Sequence, residues 1–240
     1  MSITIKSIFR AAVDLLYPRR CPICDEVLPS GRKYICPDCR KKLVFIREPF
    51  CGKCGRQLTE SAEYCRDCEK SSHEFTQGRA VFDYGSIASS LYRFKYGGRP
   101  EYARFYAKAV YERNRDYLRV MAPDAFIPVP LHKKRLRKRG YNQAEEIAKE
   151  LSKLTGIPVY GRLVQRISNT AALKTLGRSE RRKILKNAFK IRENDVKLRK
   201  VCVIDDIYTT GSTMDEIARV LKTAFGCEVY FLAVTTGRGL

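Results

Sequence analysis

Two adjacent carboxylates followed by a hydroxyl-rich turn are the residues in this sequence best suited to chemistry. An apolar run over 201–204 leads into Asp205 and Asp206, and residues 209–213 read Thr-Thr-Gly-Ser-Thr. Apolar residues then recur at helical spacing at Met214, Ile217, Ala218, Leu221 and Phe225. This order predicts a buried strand, a loop at its carboxyl end and an amphipathic helix. Ligands bind at such carboxyl ends in open parallel sheets.

The turn has the composition of an anion-binding site. Its hydroxyls and the backbone N–H groups of a helix N-terminus can together hold a phosphate, and Gly211 lets the backbone approach closely. Carboxylates would repel that phosphate, so Asp205 and Asp206 are expected to bind sugar hydroxyls or a hydrated Mg²⁺. The pattern therefore predicts a phosphorylated sugar as ligand. The alternative is an ordinary strand–helix turn, but capping a helix needs only one such residue.

The order apolar-apolar-Asp-Asp-x-x-x-Thr-Gly-x-Thr over 203–213 resembles the signature with which type I phosphoribosyltransferases bind phosphoribosyl pyrophosphate (PRPP). The resemblance implies PRPP with Mg²⁺ as the ligand, held by the two acids and the turn. The residues concerned are Asp205, Asp206, Thr209, Thr210, Gly211, Ser212 and Thr213. The turn is not a Walker A loop, because it contains no Gly-Lys-Ser/Thr.

Eight of the ten cysteines form four Cys-x-x-Cys pairs, separated by eleven, eleven and ten residues. Two such pairs complete a tetrahedral Zn²⁺ site, so the spacing predicts two consecutive zinc ribbons that bind structural zinc. The ligands are Cys21, Cys24, Cys36 and Cys39 in one ribbon, and Cys51, Cys54, Cys65 and Cys68 in the other. Cross-braced pairing or a single filled site would also fit the spacing. Zinc would supply folding energy that so small a module lacks.

The sequence shows no secretory signal and no uncharged run long enough to span a bilayer. We therefore expect a cytoplasmic protein without membrane insertion, in which thiolate–metal ligation is favoured over disulfides. Cys202 and Cys227 fall in predicted strands and are expected to be small core residues. His73 is near enough to Cys68 to serve as a spare ligand, although an ordinary surface histidine is the commoner case.

The formal net charge is +21, and it is concentrated in two stretches. Positions 133–139 hold six basic residues, and thirteen Lys or Arg residues lie between 162 and 200. Such fields attract polyanions. The candidate nucleic-acid contacts are Lys133, Lys134, Arg135, Arg137 and Lys138. A solvated basic face is the alternative interpretation.

The order of elements predicts an α/β fold, with a mainly parallel sheet and helices on both faces, preceded by a small zinc-ribbon module. We expect residues 1–72 to contain an N-terminal helix and the double zinc ribbon, and residues 73–240 to form the larger domain. The predicted strands are 79–84, 126–130, 157–160, 200–205 and 228–234. The predicted helices are 2–17, 86–95, 100–121, 141–154 and 212–225, with a helical turn over 179–187.

Three further segments make the whole chain similar to the ComF family, the ComFC-type competence proteins. They are Leu-Leu-Tyr-Pro-Arg-Arg-Cys-Pro-Ile-Cys (15–24), Phe-Lys-Tyr-Gly-Gly-Arg (94–99) and Pro-Val-Pro-Leu-His-x6-Arg-Gly-Tyr-Asn-Gln (128–143). The resemblance covers nearly the whole chain. It implies a zinc-binding N-terminus before a type I phosphoribosyltransferase-like domain.

The resemblance also implies a role for each part of the site. Asp205 and Asp206 would face the ribose hydroxyls and Mg²⁺, and the turn would hold the 5′-phosphate. Segment 129–139 would be the pyrophosphate loop, and segment 168–182 a lid. The residues that reach the pyrophosphate or close the lid would be Arg139, Arg178, Arg181 and Arg182.

Three positions depart from the family pattern. Leu173 and Ile184 stand where relatives tend to carry Gln and Asn. Enzymes of this type that act on purines usually carry Asp as general acid or base at the position of Thr209. A threonine cannot take that role at neutral pH, so purine salvage is disfavoured.

The resemblance implies a role in natural transformation, in which the protein handles incoming single-stranded DNA in the cytoplasm together with other DNA-uptake proteins. Tyr92, Phe94, Tyr96 and Tyr141 would be available for stacking on bases; a role in the core is the alternative interpretation of these aromatic residues. The alternative is a catalytically active phosphoribosyltransferase that uses PRPP and an unidentified acceptor. A transcription regulator on the same scaffold ranks last, because no helix-turn-helix is evident.

Overall fold

Four parallel strands form the central sheet, in the order β1-β6-β5-β2. The computed structural model describes residues 18–29, 34–59, 62–168, 184–192 and 195–237. The strands are β1 (Gln77–Asp83), β2 (Ala125–Pro128), β5 (Lys200–Tyr208) and β6 (Glu228–Thr236). Strands β3 (Val164–Arg166) and β4 (Phe189–Ile191) form a separate antiparallel pair.

The sheet separates two hydrophobic cores, because successive residues of a strand point to opposite faces. In β5, Val201 and Val203 belong to one core, whereas Cys202 and Ile204 belong to the other. A strand covered on both faces reads as a continuous apolar run, which is why 201–204 contains no polar residue. Both faces are therefore covered.

Helices cover the sheet on each side. The described helices are α1 (Pro37–Lys42), α2 (Arg66–Glu69), α3 (Tyr84–Tyr96), α4 (Ala103–Met121), α5 (Lys133–Arg139), α6 (Gln143–Thr155) and α7 (Ser212–Phe225), with a 3₁₀ turn at Pro100–Tyr102. Helices α3, α4 and α6 pack on the core that contains Cys202, and α7 packs on the core that contains Val203. The predicted α/β class is confirmed, and it is consistent with a phosphoribosyltransferase-like fold.

The structure differs from the sequence predictions in the short strands and in the length of β5. The predicted strand 157–160 is only a single bridge, between Val159 and Phe126. Strands β3 and β4 were not predicted, since three residues carry too little periodicity. Strand β5 extends past the acids to Tyr208, because Ile207 and Tyr208 continue to pair with β6. The predicted helix 2–17 and nearly all of the predicted lid lie outside the described residues.

Candidate functional site

The two acids lie inside β5, near the carboxyl edge of the sheet. Asp206 is 8% exposed, and its backbone N–H donates to Asp205 Oδ1 over 2.8 Å. Because alternate residues point to opposite faces, the two carboxylates have different neighbours. The edge therefore presents one acid toward the α3 side and one toward the β3 side.

Asp206 is paired with a lysine from α3. Lys95 Nζ lies 2.6 Å from Asp206 Oδ2, and the two side chains are 18% and 12% exposed. Lys95 belongs to the last turn of α3, within the Phe-Lys-Tyr-Gly-Gly-Arg segment. Sequence reasoning missed this contact, because the two residues are far apart in the chain. The structure thus places a cation directly on one of the two acids.

Asp205 is held in a setting that disfavours its charge. Burial, and secondly the charge of Asp206, raise the pKa of Asp205 well above its ordinary value. The nearby guanidinium of Arg166, from β3, has its own pKa lowered to about 10 by burial and by the charge of Arg135, while Asp205 acts in the opposite direction. Arg166 is a second basic residue near the acids that the sequence did not single out.

The hydroxyl loop, residues Thr209–Thr213, connects β5 to α7. Gly211 has a φ of +82° and forms the N-cap position of α7, and its carbonyl accepts from the Asp215 N–H over 2.8 Å. Since this N-cap residue is a glycine, it has no side chain with which to cap the helix. The Thr210 and Ser212 hydroxyl oxygens lie 3.1 Å apart. The loop therefore brings two hydroxyls and a helix N-terminus together, which is the arrangement that binds anions.

Most of the predicted pyrophosphate loop is helical. Helix α5 occupies Lys133–Arg139, with the His132 ring accepting from the Lys134 N–H over 3.3 Å and Gly140 ending the helix at a φ of +81°. Lysine, arginine and leucine favour helix, so the run forms one despite its charge. Only residues 129–132 of the predicted loop are outside a helix.

Arg139, at the end of α5, contacts residues of α6 and α3. Its Nη1 donates to Gln143 Oε1 over 2.6 Å, and its guanidinium lies 4.9 Å from the centre of the Tyr96 ring. Tyr96 forms an aromatic pair with Tyr92 at 5.1 Å between ring centres. The predicted pyrophosphate residue is thus part of an aromatic and basic surface.

The other arginines predicted to reach the pyrophosphate or close the lid, Arg178, Arg181 and Arg182, lie outside the described residues.

Only two of the four candidate stacking residues are available to a base. Tyr92 and Tyr96 are 66% and 49% exposed. Phe94 is fully buried in the core, and Tyr141 is half-buried, with its hydroxyl donating to the Phe94 carbonyl.

Among the basic residues of α5, Lys133, Lys134, Arg137 and Lys138 are exposed and Arg135 is half-buried. The exposed tyrosines and the basic helix meet at Arg139.

The cysteines group as their spacing predicts. We name Cys21, Cys24, Cys36 and Cys39 the first cysteine cluster, and Cys51, Cys54, Cys65 and Cys68 the second cysteine cluster; within each, the sulfurs lie within 4.8 Å of one another. The Cys24–Cys36 and Cys54–Cys65 sulfur distances are 3.9 and 3.8 Å. Four Zn–S bonds of about 2.3 Å need sulfurs about 3.8 Å apart. Both clusters therefore fit a structural zinc ion.

Three further predictions about single residues have clear outcomes. Cys202 and Cys227 are buried, as expected, although Cys227 lies one residue before β6. His73 is not a surface histidine, because its side chain is only 1% exposed and its Nδ1 lies 3.0 Å from Asp215 Oδ1. Its Nε2 lies 3.6 Å from the sulfur of Cys68. The histidine therefore joins the second cysteine cluster to α7.

The comparisons with known proteins agree with this architecture. A family model of the double zinc ribbon domain matches residues 12–69. Competence protein F of Haemophilus influenzae is 34% identical over 209 residues, which cover 85% of this chain and 90% of that protein. This chain belongs to the ComF family.

Other relatives share most of the chain with it. Competence protein ComFC of Bacillus subtilis is 30% identical, over 78% of this chain and 77% of that protein. DNA utilization protein YhgH of Escherichia coli K12 is 30% identical, over 86% and 92%. In the described part of this ComF chain, no helix has the length and apolar character needed to cross a membrane.

Proposed function

We propose that this protein binds PRPP with Mg²⁺ at the carboxyl edge of its sheet and handles single-stranded DNA during natural transformation. The observation that carries the first part is the hydroxyl loop at the N-terminus of α7, with two acids in the strand that precedes it. The names of its relatives, competence proteins and a DNA utilization protein, support the second part. Cytoplasmic location and other DNA-uptake proteins as partners belong to the same proposal.

The charges at the site suit a sugar phosphate with a metal. The loop offers hydroxyls and N–H groups that favour a phosphate dianion. Asp206 already holds a cation, the Lys95 ammonium, at 2.6 Å. Mg²⁺ and ribose hydroxyls would replace that ammonium, since carboxylate oxygens are ligands that Mg²⁺ prefers. Released from Asp206, Lys95 would be positioned to neutralise the pyrophosphate of the ligand.

The acids provide the test of PRPP binding. Asp205→Ala combined with Asp206→Ala should weaken PRPP about 100-fold in calorimetry, since each charged hydrogen bond contributes about 1.5–3 kcal/mol. Asp116→Asn changes an acid whose side chain is 85% exposed, and it is the control for charge alone. Unchanged affinity in the double variant would refute the proposed ligand.

The surface around α5 and Tyr92 fits a single strand of DNA. Basic side chains track phosphates, and exposed aromatic rings stack on bases of any sequence. The cationic face and the two tyrosines are adjacent through Arg139, which contacts both Tyr96 and Gln143. A duplex has its bases already stacked, so this arrangement favours single strands.

Two measurements test the DNA surface separately. Lys134→Gln with Lys138→Gln should lower the slope of log affinity against log salt by about 1.4, as expected for two lost phosphate contacts on a single strand. The chain contains no tryptophan, so Tyr92→Trp creates a unique fluorophore that a stacked base should quench. Val120→Trp, at a position 79% exposed on α4, is the control. Absence of oligonucleotide binding at low salt would exclude this part of the proposal.

One observation favours the enzymatic alternative. A carboxyl group with a raised pKa beside a sugar site, as in Asp205, suits a general acid or base. Thr209, which is exposed, has no such capacity. Pyrophosphate release from PRPP, assayed with amines and nucleobases as acceptors, decides between the two. If pyrophosphate is released by the wild type and not by Asp205→Asn, the protein is a transferase. If no acceptor leads to pyrophosphate release, PRPP is a bound regulator.

A further inference from the structure

The second cysteine cluster is connected to both ends of the hydroxyl loop. His73 follows Cys68 by five positions, and its Nε2 is 3.6 Å from the Cys68 sulfur. On the other side of the ring, Nδ1 lies 3.0 and 3.1 Å from the two carboxylate oxygens of Asp215, in the first turn of α7. A carboxylate can only accept, so Nδ1 donates. One buried imidazole thus links a metal ligand to the helix that begins at the loop.

Asp215 is bound a second time by the same segment. The backbone N–H of Glu74 donates to Asp215 Oδ1 over 2.9 Å. The Asp215 side chain is 8% exposed, so these bonds are shielded from water. In a buried setting, removing one partner leaves the other unsatisfied, and that makes such bonds strongly orienting. The first turn of α7 is therefore fixed by residues 73–74.

Arg56 makes the connection at the other end of the loop. It lies between Cys54 and Cys65, and its Nη2 donates to the Thr209 carbonyl over 2.8 Å. Its Nη1 donates to Asp67 Oδ2 over 2.7 Å, which fixes the guanidinium within the ribbon. Thr209 begins the loop and Asp215 follows it. The ribbon therefore holds the loop at its first residue and again just after its last residue.

The ring of His73 also limits the space beneath the loop. A Cβ atom added to Gly211 would lie 2.8 Å from His73 Cε1 and 2.7 Å from the Tyr208 hydroxyl. His73 itself is stacked on Phe75 at 4.5 Å between ring centres. The backbone of the loop at Gly211 therefore rests on a histidine whose position depends on the second cysteine cluster.

We propose that Arg56 and His73 are positioning residues through which the second cysteine cluster sets the conformation of the hydroxyl loop, and thereby its affinity for phosphate. The ligand assignment rests on the proposed function, whereas the positioning itself concerns the protein alone. Removal of the outer contacts of a metal site commonly lowers its metal affinity or the activity of the protein by about 10–100-fold. The first cysteine cluster has no such contact with the loop among the described residues.

The test compares two replacements of one histidine. An asparagine amide can take the place of Nδ1 and donate to Asp215, whereas the longer glutamine matches Nε2 instead. His73→Asn keeps the bond to Asp215 but loses the contact with Cys68, so we expect it to loosen the loop less than His73→Gln and Arg56→Gln do. Arg20→Gln is the matched control, because Arg20 donates to the Asp25 carbonyl within the first ribbon.

Three quantities are measured on each full-length variant: zinc per chain, hydrogen exchange of the peptide spanning 206–215, and the dissociation constant of ribose 5-phosphate. With zinc retained, His73→Gln and Arg56→Gln should exchange faster in this peptide and bind about tenfold more weakly. His73→Asn should lie between these variants and the wild type, and Arg20→Gln should stay close to the wild type. Unchanged exchange in both loosening variants would overturn the inference. If wild-type protein failed to bind ribose 5-phosphate or PRPP, the proposed ligand would fall, and the exchange data would still decide the positioning.

Discussion

The two cysteine clusters have nearly the same ligand spacing but very different surroundings. In the first, Cys21 and Cys39 are buried with Leu28 in a small cluster of their own, and Cys24 is exposed. In the second, Cys51, Cys54 and Cys65 belong to the hydrophobic core on the α7 side of the sheet, the one that contains Val203, which we name the main core. A repeated metal-binding pattern therefore does not imply a repeated role.

The partners of the two ribbons differ in the same way. The first ribbon meets the end of α3 and the start of α4: Arg93 donates to the Ile23 carbonyl, Arg99 Nη2 lies 3.2 Å from Asp25 Oδ2, and Tyr102 donates to Asp25. The second ribbon meets β1 and the hydroxyl loop. The first thus supports the helix that carries Lys95, and the second supports the loop itself.

Loss of a ligand should affect the two clusters unequally, and this is the largest expected effect. Cys54→Ser removes a buried ligand from the main core, and structural zinc contributes about 10–16 kcal/mol, as much as the whole stability of most domains. We expect loss of the cooperative thermal transition in circular dichroism. Cys24→Ser should lose one zinc and keep the sheet.

Cys227→Ser is the control for that comparison, because Cys227 is buried but belongs to neither cluster. It should retain the zinc content of the wild type. If Cys24→Ser unfolded the chain while Cys54→Ser did not, the assignment of the second cluster to the main core would be wrong.

Alanine at the two ends of α7 should separate strain from contact with the second ribbon. Gly211 and Gly226 have φ values of +82° and +65°, but an added Cβ meets Tyr208 and His73 at the first and nothing within 4 Å at the second. Gly226→Ala should cost about 1 kcal/mol of unfolding free energy from strain alone. Gly211→Ala should cost about 2–4 kcal/mol, since overpacking adds to strain.

Chemical denaturation measures both values, and ribose 5-phosphate affinity should fall only in Gly211→Ala. Equal costs at the two glycines would show that the loop does not rest on His73, and that finding would weaken the contrast between the ribbons.

The parts of this site that the sequence predicted are those encoded locally. Strand β5 and helix α7 follow from an apolar run and a helical repeat, and the cysteine pairs follow from spacing. The contacts that distinguish the ribbons are not local: His73 and Asp215 are 142 positions apart, and Arg56 and Thr209 are 153 apart. No periodicity connects such residues, and a histidine beside a cysteine looks the same on a surface as in a core.

The Lys95–Asp206 pair was unpredictable for the same reason. Helix α3 and strand β5 were each expected, but only their packing shows that one lysine reaches one acid. Helix α5 is the opposite case. Its residues favour helix individually, and the resemblance to a phosphate loop led to the prediction of an open segment.

Replacing Asp25 tests the attachment of the first ribbon. Burial alone would raise the pKa of Asp25. The hydrogen bond from Tyr102, and then the hydrogen bond and charge of Arg99, lower this pKa below its ordinary value. Its charge therefore stabilises the fold above a pH of about 4 and ceases to do so as pH falls through the lowered pKa. Asp25→Asn should cost about 1–2 kcal/mol at neutral pH.

Denaturation at neutral and acidic pH measures this loss, which should shrink in acid. Loop exchange and ribose 5-phosphate affinity should not change, because the first ribbon does not contact the loop among the described residues. A loss of affinity in Asp25→Asn would contradict the separate roles of the ribbons.

The stability that depends on Asp205, in the proposed binding site, should change with pH in the opposite direction to that of Asp25. It is also the smallest effect that we expect. Burial and the charge of Asp206 raise the pKa of Asp205, so its ionisation destabilises the folded state. That penalty is absent below a pH of about 4 and grows as pH rises toward the raised pKa. Asp205→Asn should therefore gain about 1 kcal/mol at neutral pH, within the usual range for a point mutation, and the gain should vanish in acid.

Denaturation curves of wild type and Asp205→Asn across this pH range measure the difference. Asp25 thus stabilises the attachment of the first ribbon, whereas Asp205 destabilises the carboxyl edge of the sheet. Charge that is retained at a cost to stability is typical of functional positions, which agrees with the proposed binding of PRPP at this edge. Asp205→Asn should bind PRPP more weakly while it unfolds later. If it instead lost stability at neutral pH, Asp205 would be a structural acid like Asp25, and the difference between the two regions would lie in the loop alone.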